Sequence, residues 1–228
     1  MPRRIDLDKF KKIPKFISVE GPIGVGKTTL TKLLAESFGY ETFLEKPNEN
    51  PFLKDFYKNP NQAALATQLF FLFQRVKESQ NLLQDDIFSP VRISDFLLEK
   101  DKLFAAVTLS DHELNLYNQI YDYLSIDLPL PDLVVYLQAN TETLYQRVQQ
   151  RGIEIERNIS IDYLERLNEA YKEFFLNYDK APVLIVNSEF IDFSSKEDDF
   201  LMLLGKLMEF FNSPEGRKMY FNPAPSFI

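Results

Sequence analysis

Phe16-Ile17-Ser18-Val19-Glu20-Gly21-Pro22-Ile23-Gly24-Val25-Gly26-Lys27-Thr28-Thr29-Leu30 joins a short apolar, β-branched run to a glycine-rich turn and then to a stretch of helical apolar spacing. Residues 21–28 fit G-x-x-x-x-G-K-[ST], and the strand–turn–helix setting is the context such a loop requires. Glycines let backbone N–H groups turn inward onto phosphate oxygens, and the following helix aims its positive end at them. In this setting Lys27 reaches the β- and γ-phosphates and the Thr28 hydroxyl sits on a magnesium ion. The expected triphosphate-binding element is therefore Gly21, Pro22, Ile23, Gly24, Val25, Gly26, Lys27, Thr28 and Thr29.

Outward from this loop, apolar β-type runs recur at 15–20, 41–45, 91–94, 132–138 and 182–187. Helical patterns lie between them, at 30–38, 60–85, 114–124, 141–150, 160–178 and 195–211. That alternation predicts an α/β protein of the P-loop NTPase-like fold, with a five-stranded parallel sheet flanked by helices on both faces. One domain over 1–228 is expected, with a lid at about 150–158 and a loosely ordered tail from about 213. The long helix from Pro60 is apolar almost all round between Ala63 and Phe73, so it is either deeply buried or shared with a partner subunit.

The 228 residues carry a formal charge of −8, which excludes a general nucleic-acid or acidic-membrane binder. A basic cluster (Arg3, Arg4, Lys9, Lys11, Lys12) reads as a solvated leader, or else as an interaction tail. With no cysteine, disulfides, zinc–thiolate sites and cysteine nucleophiles are excluded. No run approaches membrane-spanning length, so a soluble, cytoplasmic protein is expected. The single histidine, His112, reads as a surface residue at a helix start.

The second strand ends Phe43-Leu44-Glu45-Lys46-Pro47, and in a parallel sheet ligands gather at the carboxyl ends of the strands. Glu45 then shares an edge with the phosphate loop, where a carboxylate accepts the proton of an attacking hydroxyl or orients it in line with the γ-phosphate. The alternative is an exposed loop glutamate. Asp95, after Val91-Arg92-Ile93-Ser94, stands where a magnesium-orienting carboxylate sits, or caps the helix that follows. Arg147, Arg151 and Arg157 surround the polar connection, where guanidinium groups neutralise charge on a transferring phosphoryl group and a closing loop excludes water. Helix-dipole complementation accounts for Arg147 or Arg151 alone.

Together these blocks resemble the deoxyribonucleoside kinases, in particular the bacterial deoxyadenosine/deoxyguanosine/deoxycytidine kinase branch, from about Phe16 to the strand at 183–187. The resemblance rests on the loop Glu20–Thr29, Glu45-Lys46-Pro47, Asn50-Pro51-Phe52-Leu53, Phe56-Tyr57, Phe104-Ala105, Pro131–Leu137 and Arg147-x-x-x-Arg151-Gly152. It implies transfer of the ATP γ-phosphate to a deoxynucleoside 5′-hydroxyl, with magnesium held by Thr28 and Asp95 and Glu45 as base. It implies Tyr57 and Glu156 on the sugar 3′-hydroxyl, Gln68 and Arg75 reading the base, and Phe104 packed against it. A Gln amide offers one donor and one acceptor, which suits the edge of adenine or cytosine. The acidic base contact falls on Asp101 counting from Asp95, but the count back from Phe104 falls on Lys100. Deoxyadenosine is the expected acceptor, before deoxyguanosine and deoxycytidine, and a homodimer is implied.

Two departures remove positive charge near the phosphates. Asp95 is followed by Phe96-Leu97 where the family often carries Arg-Ser, and Ile153 replaces the second lid arginine. Two other readings share the loop: a thymidylate-type nucleoside monophosphate kinase, and a nucleotide-binding regulator without catalysis.

Overall fold

A computed structural model describes residues 14–84, 92–126, 128–212 and 217–223. The basic cluster at 3–12, Asp85, Val91 and the tail at 213–216 and 224–228 lie outside the described residues. The elements run β1 (Phe16–Glu20), α1 (Lys27–Phe38), β2 (Glu41–Phe43), α2 (Leu53–Lys58), α3 (Pro60–Gln84), β3 (Arg92–Ser94), α4 (Lys100–Thr108) and α5 (Asp111–Leu124). They continue β4 (Leu133–Gln138), α6 (Thr141–Arg151), α7 (Ile161–Asn177), β5 (Val183–Asn187), α8 (Glu197–Asn212) and β6 (Lys218–Phe221).

Every strand pairing is parallel and the order is β2-β3-β1-β4-β5-β6. A parallel sheet covered on both faces needs strands that are apolar throughout, and β4 and β5 meet that demand. Leu133, Val135 and Leu137 pack with Leu30 and Leu34 of α1 and with Phe200, Leu203 and Leu207 of α8. Val134 and Tyr136 point the other way, onto Leu164, Leu167, Tyr171 and Phe175 of α7. A third cluster joins Leu72 and Val76 of α3 to Ala105 of α4 and to Tyr117 and Tyr121 of α5.

The same alternation on β1 matters for chemistry. Ile17 and Val19 enter the α1/α8 layer, whereas Ser18 and Glu20 are buried polar residues on the other side. Chain order reverses at β1, so its carboxyl end opens the crevice where such sheets bind ligands.

The sheet has six strands rather than the five expected from the sequence. Lys218-Met219-Tyr220-Phe221 adds the sixth by pairing with β5, burying Phe221 against the α1/α8 layer while Tyr220 stays exposed. Four edge residues with one buried ring carry too little apolar pattern to stand out. Two short helices, α2 and α4, were also unexpected. The first turn of α4 is Lys100-Asp101-Lys102, three charged residues with no apolar spacing to mark a helix, and Lys100 and Asp101 are buried.

Candidate active site

The phosphate loop begins where β1 ends. Gly21 has φ +150°, and a side chain there would collide with the Leu137 carbonyl of β4. Gly24 has φ +85°, and a Cβ would lie 2.8 Å from Leu144 O. Lys27 folds back over the loop, donating to Gly21 O at 2.7 Å and Pro22 O at 3.1 Å. Burial pulls its ammonium down to about 8, helped by Lys100 and opposed by Glu20, Glu45 and Asp95.

Asp95 ties the start of α1 to the end of β2. Its Oδ2 accepts from Thr28 Oγ1 at 2.5 Å, and its Oδ1 accepts from the Glu45 backbone N–H at 2.8 Å. The carboxylate faces the loop, and α4 begins five residues later, so Asp95 caps no helix. Two adjacent hard oxygens, one hydroxyl and one carboxylate, are donors of the type that suits a magnesium ion.

Glu45 is the centre of a buried charge network. Its Oε1 accepts from Arg75 Nε of α3 at 2.7 Å and is ion-paired with Arg75 Nη2 at 2.5 Å and with Lys100 Nζ of α4 at 2.9 Å. Among the described residues Oε2 accepts no hydrogen bond. Burial pushes this carboxyl up, but the Arg75 guanidinium, then Lys100 and Lys27, outweigh it and hold the group at about 2. Glu45 therefore stays ionised with one oxygen anchored and one open.

Arg75 continues to Asp101 through Nη1 and lies over the Phe71 ring, 5.0 Å from its centroid. Gln68 precedes Arg75 by two turns of α3, on the same face, and is buried. Adjacent residues of a helix point about 100° apart, and this separates the two residues between which the sequence left the acidic contact open. Asp101 goes to Arg75, while Lys100 goes to Glu45 and to Glu20, the latter at 3.7 Å. Phe104, one turn on, lies edge-on to Tyr171, with Lys100 Nζ 6.0 Å from its ring centre.

Glu20, Tyr171 and Ser188 were not singled out by sequence reasoning. Glu20 Oε1 accepts from Gly21 N at 2.9 Å and Tyr171 OH at 2.8 Å, and Oε2 accepts from Leu97 N at 2.7 Å. An acid closing an apolar strand just before Gly21 was the available signal. Ser188, after β5, holds Arg147: Nη2 donates to Ser188 O at 2.7 Å, and Nη1 to Ser188 Oγ at 3.2 Å and to Val25 O of the loop at 3.4 Å.

The three arginines do not gather at one point. Arg147 lies on the phosphate loop, Arg151 pairs with Glu156 at 2.5 Å, and Arg157 is exposed. Burial holds the Tyr57 hydroxyl well above its ordinary range, with Tyr163, Glu156 and Glu45 adding to the rise and Arg151 opposing it. Tyr57 thus lies within electrostatic reach of Glu156, Arg151 and Glu45, and Arg151 pairs with Glu156. On the opposite side of the loop, a cavity of about 450 Å³ is lined by Gly26, Thr29, Arg147, Gln150, Phe190 and Phe193, among others.

Residues 17–212 match the family model described as deoxynucleoside kinase. A deoxyguanosine kinase of Bacillus subtilis (strain 168) is 36% identical over 202 residues, covering 85% of this chain and 96% of that protein. The same organism's deoxyadenosine/deoxycytidine kinase is 31% identical, over 82% of this chain and 89% of that protein. Among solved structures, deoxyadenosine kinase from M. mycoides with bound dATP matches with TM-score 0.74 at 27% identity, over 85% of this chain and 98% of that one.

Proposed function

The chain belongs to the deoxynucleoside kinase family and is an ATP-dependent phosphotransferase acting on a nucleoside hydroxyl, and from that premise we propose the acceptor, the residue roles and the assembly. The acceptor is a deoxynucleoside phosphorylated at its 5′-hydroxyl, deoxyadenosine before deoxyguanosine and deoxycytidine. One observation carries this reading: Glu45 is ionised at the carboxyl end of β2, its Oε1 fixed by Arg75 and Lys100 and its Oε2 open.

In this scheme Glu45 Oε2 takes the proton of the 5′-hydroxyl as its oxygen bonds to the γ-phosphorus, and the bond from that phosphorus to the β–γ bridging oxygen breaks to release ADP. Lys27 exchanges Gly21 O and Pro22 O for phosphate oxygens. Thr28 and Asp95 would hold magnesium, which would neutralise charge on the phosphates. Arg147 faces the phosphates from α6, and Arg151 closes with the lid at about 150–158. The cavity beside Gly26 takes the adenosine half of ATP.

Tyr57 and Glu156 hold the sugar 3′-hydroxyl. Gln68, Arg75 and Asp101 face the base edge, and Phe104 packs against its plane. Gln68 supplies the donor–acceptor pair that adenine needs, which supports deoxyadenosine as first acceptor. The relative at 36% identity is named for deoxyguanosine, which supports that base as second.

A monophosphate acceptor would need free cations for its own phosphate. Near Glu45, Arg75 and Lys100 are already committed to Glu45, Asp101 and Glu20. The protein works in the cytoplasm as a homodimer joined across α3 and α5, where Phe73 and Leu116 are exposed. No helix among the described residues is long and apolar enough to cross a membrane. The test is a panel of the four deoxynucleosides and their monophosphates with ATP and magnesium, scored by chromatography. Deoxyadenosine and deoxyguanosine are expected to yield monophosphates; conversion of monophosphates alone would overturn the proposal.

A further inference from the structure

The geometry points to Lys100 as a positioning residue for phosphoryl transfer, which locks the Glu45 carboxylate from α4 and places a positive charge beside the reacting phosphate. This rests on the kinase reading of the same site. The sequence places no cation directly after Asp95, where Phe96 is buried beside Glu45. Lys100 enters the same space from the first turn of the next helix.

Lys100 is 2% exposed, which is costly for a lysine unless its charge is matched. Its matching partners are Glu45 at 2.9 Å and Glu20 at 3.7 Å. Glu20 does not require it, because Gly21 N, Leu97 N and Tyr171 OH already satisfy both carboxylate oxygens. Glu45 does not require it for neutrality, because the Arg75 guanidinium already pairs with it, donating from Nε to Oε1.

The contribution of Lys100 is therefore geometric and electrostatic. Arg75 alone lets the carboxylate swing about its contact at Oε1. A second cation reaching the same oxygen from another helix fixes the plane, and with it the direction of Oε2. When Lys27 is drawn to the phosphates, Arg75 remains divided between Glu45 and Asp101. Lys100 is then the cation that offsets the Glu20 and Glu45 carboxylates as charge redistributes over the transferring phosphoryl group.

The test compares Lys100→Met, of similar length but neutral, with Lys100→Arg and with Lys100→Ala plus ethylammonium. Lys100→Met is expected to lose about 10²-fold in kcat, with KM for the deoxynucleoside and Kd for ATP changed less than about threefold. Lys100→Arg restores most of the loss, and ethylammonium restores Lys100→Ala saturably. A Lys100→Met enzyme with wild-type kcat overturns the inference. So does a Lys100→Ala enzyme that binds ATP normally yet gains nothing from ethylammonium. If the wild-type chain phosphorylates no deoxynucleoside, the kinase reading itself falls and this inference with it.

Discussion

Lys27→Met removes a cation that the fold holds at a cost, so the variant is expected to be more stable than the parent while losing transfer activity. Burial moves Lys27 from 10.5 to about 8, and at about 1.4 kcal/mol for each tenfold loss of proton affinity this makes the charged form cost about 3 kcal/mol at neutral pH. Losing the hydrogen bonds to Gly21 O and Pro22 O returns about 1–2 kcal/mol of that. The net gain of about 1–2 kcal/mol raises Tm by about 3–6 °C in a chain of this size. The sign fixes the pH window. A depressed lysine destabilises the native state below its folded value of about 8 and ceases to do so above its unfolded value. The advantage of Lys27→Met is thus full at pH 7, shrinks above about pH 8 and reverses toward pH 10.5. Scanning calorimetry of both proteins without nucleotide, at several pH values, measures it. A Lys27→Met protein that melts below wild type at pH 7, or a difference flat from pH 7 to 10, refutes the reasoning.

Three further outcomes follow from the same geometry. Asp95→Asn keeps the bulk near Thr28 and the Glu45 backbone but removes the charge facing the metal, so activity at limiting magnesium should fall about 10–100-fold, as magnesium titration would report. Gln68→Leu leaves an apolar group against the base edge and should lower kcat/KM for deoxyadenosine by about 1–3 kcal/mol, or roughly 10–100-fold, without altering ATP affinity. Phe73→Glu adds a charge to the exposed face of α3, where Phe73 is 54% exposed, and should convert a dimer to monomer by light scattering.

The sheet was legible because each central strand is buried on both faces, so β4 and β5 read as continuous apolar runs with few competing interpretations. The phosphate loop was legible because glycines at 21, 24 and 26 are required by backbone conformation. Glu45 and Asp95 were found from their places at strand ends, and the structure joins them through the Glu45 backbone. What stayed hidden was burial of charge. Only the resemblance drew attention to Lys100 and Asp101, and it left open which of them faces the site, because pairing with residues 25 or more positions away leaves no local pattern. Glu20 was quoted with the loop yet assigned no role, because its partners Leu97 and Tyr171 are distant in sequence. The resemblance set Arg147 and Arg151 apart from Arg157 but gave them one role, and only tertiary contacts sent Arg147 to the loop and Arg151 to Glu156.

The central claim is that Glu45 accepts the proton of a deoxynucleoside hydroxyl in a site that binds ATP independently of it. Steady-state turnover of Glu45→Gln, measured beside its ATP affinity, tests this most directly. The account predicts a fall in kcat of about 10²–10⁴-fold with the ATP Kd little changed. Turnover close to wild type in a variant that still binds ATP would contradict it.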